Sequence, residues 1–174
     1  MNEVLFGIRK RQARLTDNYA QNAVVLDVEF AQTVLEAHEL YSRSENPQVT
    51  DELIQYVRGD RPPFGGKAWE GCDKVYFPLL LSEVHWVMVC ADISKCIFTL
   101  LDCDRRVVPD GQVLCRMMLP FLELFPHILI ASKMFHGELL HTGTRWSLER
   151  RTDLPQQKKR YGNLSNTFLL ISWN

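Results

Sequence analysis

Residues 83–106, EVHWVMVCADISKCIFTLLDCDRR, form the stretch that decides the fold class. Two apolar runs flank the short segment 92–95, a pattern that predicts a β-hairpin. A further β-type run precedes this hairpin at residues 75–77, so the predicted strands cluster in the middle of the chain. Helical patterns lie before and after the cluster, and this order indicates an α+β domain.

Helices are predicted on both sides of the strand-rich region. The helical patterns cover residues 23–41, 50–59 and 111–125. Thr50 is placed to cap the second helix and Gly59 to end it. Pro126 is expected to end the third helix, because a proline in a helix interior removes a hydrogen bond. Residues 146–150 alternate enough to predict one more strand.

Composition and charge exclude several classes of protein. The 174 residues carry 20 Lys+Arg and 21 Asp+Glu, a net charge of −1. This balance argues against binding of nucleic acid, which requires a strongly basic face. The length allows one sizeable core, so residues 1–174 are predicted to form a single domain. His136 and His141 are five residues apart, which rotates them by about 140° on a helix, so they do not match a helical zinc motif.

The expected location is intracellular, in the nucleus or the cytoplasm, with no membrane partner. The N-terminus lacks a signal peptide, and no run approaches the roughly 20 apolar residues that span a bilayer. Residues 9–11 and Arg14 form a basic cluster that is either a nuclear address or, more commonly, a solvated helix end. Three of the five cysteines lie in apolar runs, which favours buried free thiols: Cys90, Cys96 and Cys103.

The hairpin brings a histidine and an aspartate together. If its loop is centred between Ile93 and Ser94, His85 lies directly opposite Asp102, with Cβ atoms about 4.5–5.5 Å apart. If the pairing is shifted so that the residue facing His85 lies two positions later, Asp104 is there instead. A carboxylate beside an imidazole is the base half of a nucleophilic triad. An ordinary cross-strand pair at a sheet edge is the simpler interpretation of this spacing alone.

Four short motifs resemble, in their order and spacing, the catalytic domain of ubiquitin-like-protein (SUMO-type) cysteine proteases. They are residues 73–78 (DKVYFP), 85–86 (HW), 101–102 (LD) and 154–157 (LPQQ). The likeness covers residues 57–174, is looser over 1–50, and is greatest to the divergent plant, transposon-associated branch. It implies a papain-like α+β fold with a central, mostly antiparallel sheet flanked by helices, and with the C-terminal helix truncated.

The resemblance also implies a function and a role for particular residues. Such enzymes are cysteine peptidases that mature SUMO-type modifiers or remove them from lysines, without a cofactor or metal. His85 would be the general base and Asp102 its orienting acid, while Gln157 would donate to the developing oxyanion. Trp86 would line the channel over the substrate's glycines, although a place in the core explains a tryptophan about as well.

The nucleophile departs from the family pattern. The family carries Asp-Cys-Gly after its Pro-Gln-Gln motif, but residues 158–168, KKRYGNLSNTF, contain no cysteine. Alignment on Phe168 puts Ser165 at the nucleophile position, whereas counting forward from the glutamines without a gap puts Asn163 there. Both alignments lack the thiol.

A serine does not replace that thiol, because its hydroxyl does not form the thiolate–imidazolium pair on which the chemistry depends. Asn166 would also stand where the family has a glycine. We therefore expect a SUMO-type peptidase domain that is inactive or impaired as written. The alternative is a pseudoprotease module that binds a ubiquitin-like modifier without cleaving it.

Overall fold

The computed structural model describes residues 1–17, 21–45, 47–62, 66–133 and 146–157. These residues form four helices and five strands. The helices are α1 (Asn2–Arg14), α2 (Val28–Arg43), α3 (Asp51–Arg58) and α4 (Gly111–Ser132). The strands are β1 (Ala23–Val25), β2 (Lys74–Leu81), β3 (His85–Asp92), β4 (Ile97–Leu101) and β5 (Ser147–Arg150).

The five strands form one mixed sheet in the order β1-β2-β3-β4-β5. The central strand β3 is antiparallel to both of its neighbours, β2 and β4, and the two edge strands run parallel to their neighbours. The predicted α+β fold, with a mostly antiparallel centre and helices packed on the sheet, is confirmed. The predicted strand at residues 146–150 and the helix between Thr50 and Gly59 are confirmed as β5 and α3.

The sheet separates two apolar clusters of unequal size. The larger one joins α2, α3 and α4 to one face, and its centre is a set of fully buried aromatic rings in edge-to-face and stacked contacts. Those rings are Phe30, Trp69, Phe77, Phe98 and Phe125. The smaller cluster lies on the other face, where Leu5 of α1 packs with Val25 and Met88. Both faces of the central strands are therefore covered.

The predicted start of the first helix is wrong. Residues 23–41 were expected to be helical throughout, but Ala23–Val25 is an edge strand and α2 begins only at Val28. Asp27 separates the two elements, because its backbone is extended and its carboxylate accepts a hydrogen bond from the Phe30 amide at 3.1 Å. A side chain in this position caps a helix and defines its first residue.

Helix α4 continues past the proline that was expected to end it. Pro120 and Pro126 both lie inside the helix, which reaches Ser132. Ile128 and Leu129, beyond the second proline, are completely buried in the main core. Their burial offsets the roughly 3 kcal/mol that an interior proline costs.

One described helix passes a length and hydropathy test for a membrane span, although Arg116 and Glu123 interrupt its apolar residues, and the expected absence of a membrane partner stays a prediction. α4 has 22 residues and a mean hydropathy of 1.6 over its most apolar window, so by length and composition it passes that test. Buried core helices pass the same test. Leu114, Met118 and Phe121 of α4 belong to the main core.

Candidate active site

The turn of the central hairpin lies one residue later than predicted. The pairing of β3 with β4 leaves residues 93–96 as the turn, and this register, if extended, would place Asp104 rather than Asp102 opposite His85. β4 ends before either aspartate. The predicted direct cross-strand alignment of His85 and Asp102 is therefore wrong, although the two side chains do meet.

Hydrogen bonds from within the turn account for its position. Asp92 ends β3, and its Oδ1 accepts from Ser94 Oγ at 2.7 Å and from the Lys95 amide at 3.1 Å. Such local carboxylate bonds stabilise turns. Cys96 then adopts a left-handed backbone with φ of 54°, which returns the chain into β4.

The pair of His85 and Asp102 is buried at the end of the hairpin. His85 Nε2 lies 2.8 Å from Asp102 Oδ1, with exposed fractions of 8% and 0% for the two residues. The Asp104 amide donates to the same Oδ1 at 2.8 Å, which fixes the carboxylate. Because Nε2 is engaged by the carboxylate, Nδ1 is the ring nitrogen that remains for proton transfer to a reacting group.

Arg150 is a third member of this cluster that the sequence analysis missed. Its Nε donates to Asp102 Oδ2 at 3.0 Å, its Nη2 contacts the same oxygen, and its Nη1 donates to the Val108 carbonyl at 2.7 Å. β5 pairs in parallel with β4 and brings Arg150 opposite Leu100, two residues before the aspartate. The alternation of residues 146–150 predicted the strand, but the sequence contains no signal for its partner.

These contacts determine the charge state of Asp102. Burial by itself raises the pKa of a carboxyl group, because it disfavours the charged form. The hydrogen bonds from His85, Arg150 and the Asp104 amide outweigh burial and hold the pKa of Asp102 below its ordinary value. The charged carboxylate is the form that orients an imidazole and stabilises the imidazolium.

The predicted oxyanion glutamine lies beside this cluster. The Gln157 amide donates to the Cys103 carbonyl at 2.7 Å, and its side-chain Nε2 donates to Cys103 Sγ at 3.2 Å. Gln156 Nε2 donates to the Asp102 carbonyl at 3.1 Å, so both glutamines are attached to the chain that follows β4. The structure thus brings Gln157 close to the aspartate, and its role as an oxyanion donor stays a prediction.

Trp86 lies on the sheet face opposite the main core. It is half-buried and pairs with Leu80 of β2, which is 38% exposed. Side chains of directly opposed residues share a face, so the two form an accessible apolar patch next to His85 in sequence. Its role in a substrate channel stays a prediction. Ser165, the C-terminal helix that was expected to be truncated, and His136 and His141 lie outside the described residues.

The cysteines are free, as expected, and four of the five are buried: Cys72, Cys90, Cys96 and Cys103. Burial raises the pKa of Cys72, Cys90 and Cys96, the opposite of what activates a nucleophilic thiol. Cys115 is exposed on α4. Within the described part of the chain, no cluster of three or more His, Cys, Asp or Glu is arranged to hold a metal ion.

A cavity of about 740 Å³ adjoins the cluster on the side of the glutamines. Arg150 and Gln157 contribute to its wall, together with Arg105, Arg106 and the first residue of α4, Gly111. His85 and Trp86 are not among the lining residues. The cavity therefore borders the acid and glutamine side of the site and not the imidazole.

A buried His–Asp pair at the end of an antiparallel hairpin, with a glutamine packed beside the aspartate, is the arrangement that the resemblance to papain-like cysteine peptidases implies for these residues. The comparison with protein families identifies the family. The sequence pattern of the Ulp1 protease family, C-terminal catalytic domain, matches residues 1–162. The chain belongs to this family. No curated protein and no solved structure matches it significantly.

Proposed function

We propose that this chain binds a SUMO-type ubiquitin-like modifier and that, with its present sequence, it cleaves the modifier poorly or not at all. The observation that carries this proposal is the buried His85–Asp102 contact within a Ulp1-type catalytic domain that has no cysteine after Cys115. The base and its orienting acid are present, whereas the residue that attacks the peptide carbonyl is a thiol in the family.

The loss of the thiol affects one step of the reaction. In a Cys–His site the thiol proton passes to the imidazole, and the thiolate forms a bond to the substrate carbonyl carbon. Here His85, held by Asp102 through Nε2, offers Nδ1 as the acceptor for that proton. Ser165, at the aligned position, holds its proton far more strongly than a thiol, so the attacking anion is not formed in useful amount.

Binding depends on parts of the domain other than the nucleophile. The exposed apolar patch of Trp86 and Leu80 supports a contact with the modifier, since an aromatic residue in a partly exposed apolar patch is a common anchor of interfaces. The 740 Å³ cavity lined by arginines and glutamines supports a polar contact on the other side of the aspartate. Both features lie in described residues and persist without the thiol.

An active peptidase that uses a different cysteine is the second candidate. Cys103 directly follows Asp102, and its Sγ accepts the Gln157 side-chain hydrogen bond at 3.2 Å. In a cysteine peptidase an amide donor stands near the nucleophilic sulfur, because it must reach the oxyanion that forms on the attacked carbonyl. Against this candidate, Cys103 is 5% exposed, which leaves little room for a substrate carbonyl.

The test measures binding and cleavage separately. The purified chain is titrated calorimetrically with mature SUMO, and a SUMO precursor is followed by mass spectrometry. We expect saturable binding, at least a fivefold loss in Trp86→Ala, and little change in the control Leu40→Ala, whose side chain is 65% exposed on α2. Absence of binding in the folded chain overturns the proposal.

The cleavage arm uses three variants. We expect the native sequence to match His85→Ala, and the double variant Ser165→Cys with Asn166→Gly to cleave the precursor at a measurable rate. Efficient cleavage by the native chain that His85→Ala abolishes would contradict the proposed impairment. If Cys103→Ser also abolished that cleavage, the second candidate would be correct.

A further inference from the structure

Arg9 of α1 is a buried cation with two guanidinium nitrogens that have no hydrogen-bond partner among the described residues. It belongs to the basic cluster that was expected to be a solvated helix end, yet it is only 8% exposed. Among the described residues, nothing hydrogen-bonds to its buried Nε or Nη1. Burial of an unpaired charge is costly, so such a group normally has a partner that compensates it.

The carboxylate of Asp27 does not meet this need. Asp27 attracts Arg9 electrostatically, which opposes the lowering of the Arg9 pKa by burial. Its Oδ1, however, already accepts from the Phe30 amide at 3.1 Å and from Tyr56 Oη at 3.0 Å. Asp27 Oδ1 thus serves the cap of α2 and the Tyr56 hydroxyl, and among the described residues no hydrogen bond reaches Nε or Nη1 of Arg9.

Arg9 lies in the wall of two cavities with opposite charge. One, of about 320 Å³, also contains the acidic residues Glu3, Asp27 and Glu29. The other, of about 460 Å³, contains Lys10 and Lys67, and no acidic residue is among its described lining residues. The second cavity, referred to below as the cation-lined cavity, has the volume of an ordinary small-molecule site.

Both lysines of the cation-lined cavity retain donors. Lys67 Nζ donates to the Gln21 carbonyl, and an ammonium group has three N–H bonds in all. Lys10 Nζ lies 5.9 Å from the centre of the Phe6 ring, a contact that uses no hydrogen bond. The two lysines can therefore donate to a ligand that enters the cavity, and Arg9 adds its positive charge at the wall.

We propose that the cation-lined cavity is a binding site for the oxyanion group, phosphate or carboxylate, of a small molecule. Arg9, in the wall of the cavity, would place its guanidinium charge next to the ligand's oxygens, since guanidinium groups pair readily with phosphate and carboxylate. Lys10 and Lys67 would add charge at the mouth. The site is formed by α1, β1 and the segment before β2, so it is separate from the His85–Asp102 cluster.

The test compares melting temperatures in chloride, phosphate, pyrophosphate and citrate at constant ionic strength. For the preferred anion we expect a rise of roughly 3–6 °C over chloride at ten times its Kd. The difference between the phosphates and citrate tells which oxyanion the site takes. Because phosphate also stabilises proteins by exclusion from their surfaces, the informative quantity is the rise in the native chain minus that in Arg9→Met.

Two variants make the comparison specific. In chloride, Arg9→Met should melt at or above the temperature of the native chain, because it removes an unpaired buried charge, and it should lose the anion-dependent rise. Arg11→Met, with the same loss of charge at an exposed position of α1, should keep that rise.

The proposal is wrong if all four anions give the native chain and Arg9→Met the same change in melting temperature. It is also wrong if Arg9→Met is destabilised equally in chloride and in phosphate, since Arg9 would then be purely structural. If Arg9→Met does not fold, Lys67→Gln is the variant that tests the site. It should reduce the anion-dependent rise in melting temperature at least twofold, and an unchanged rise would overturn the proposal.

Discussion

Replacing Arg150 with methionine tests the electrostatic arrangement around Asp102. The substitution keeps much of the apolar stem but removes two donors to Oδ2 and the hydrogen bond to the Val108 carbonyl. Asp102 is 0% exposed, so it would remain a buried carboxylate without its cation. Loss of one partner of a buried pair costs about 3–5 kcal/mol. We expect about 3 kcal/mol, because His85 and the Asp104 amide still bind the other oxygen.

The loss of stability in Arg150→Met should depend on pH. Because folding lowers the pKa of Asp102, this group contributes stability at any pH above its pKa in the unfolded chain. That stability is lost as pH falls through the pKa of Asp102 in the folded chain. In Arg150→Met the pKa of Asp102 in the folded chain rises, so Asp102 becomes protonated at a higher pH than in the native chain. Its deficit in free energy of unfolding should therefore be largest at neutral pH and should narrow as the solution becomes mildly acidic.

Urea unfolding followed by circular dichroism measures both quantities. With a slope of roughly 2 kcal/mol per molar urea, the midpoint of Arg150→Met should fall by about 1.5 M at neutral pH. Arg151→Met is the matched control, because Arg151 pairs with Asp153 at the surface, where both side chains are about half exposed. It should leave the midpoint nearly unchanged. Equal shifts of the urea midpoint in the two variants would refute the reasoning. So would a deficit in the free energy of unfolding of Arg150→Met that grows as pH falls.

Three further predictions concern the rest of the domain. Tyr56→Phe should lower the free energy of unfolding by about 1.5–3 kcal/mol, because it removes a buried hydrogen bond to the Asp27 carboxylate, and no loss would contradict that bond. Gly59→Ala should lower the free energy of unfolding, since its φ is 83° and a Cβ would lie 2.4 Å from a backbone atom. Gly7→Ala in α1, where a Cβ would have open space, should raise the free energy of unfolding by about 0.5–1 kcal/mol in the same urea titrations. A thiol reagent should label Cys115 first in the native chain, because the other four thiols are buried, and mass spectrometry that found a buried thiol labelled first would argue against this packing.

Local patterns predicted the strands of the central hairpin because apolar runs and turn residues are features of neighbouring positions. The register was less certain, since the alternative loop centres differ by only one residue. Hydrogen bonds that Ser94 and Lys95 donate to the Asp92 carboxylate decided between them. Such bonds depend on the folded turn, so the sequence alone allowed both Asp102 and Asp104 as partners of His85.

The errors in the helices have a common cause, which is that tertiary burial overrides local preference. Pro126 should end a helix in isolation, but the buried residues that follow it keep α4 intact. Residues 23–25 match a helical pattern and become an edge strand because β2 lies beside them. Arg150 reaches Asp102 through a pairing of distant strands, 48 residues apart in sequence, for which no local pattern exists.

The most direct test of the central claim is incubation of the native chain with a SUMO precursor, with the product quantified by mass spectrometry. The formed His85–Asp102 pair and the absent thiol predict binding of the modifier and no product above that of His85→Ala. Product that accumulates with the native chain and disappears with His85→Ala would show that the domain has a working nucleophile, and would contradict the account.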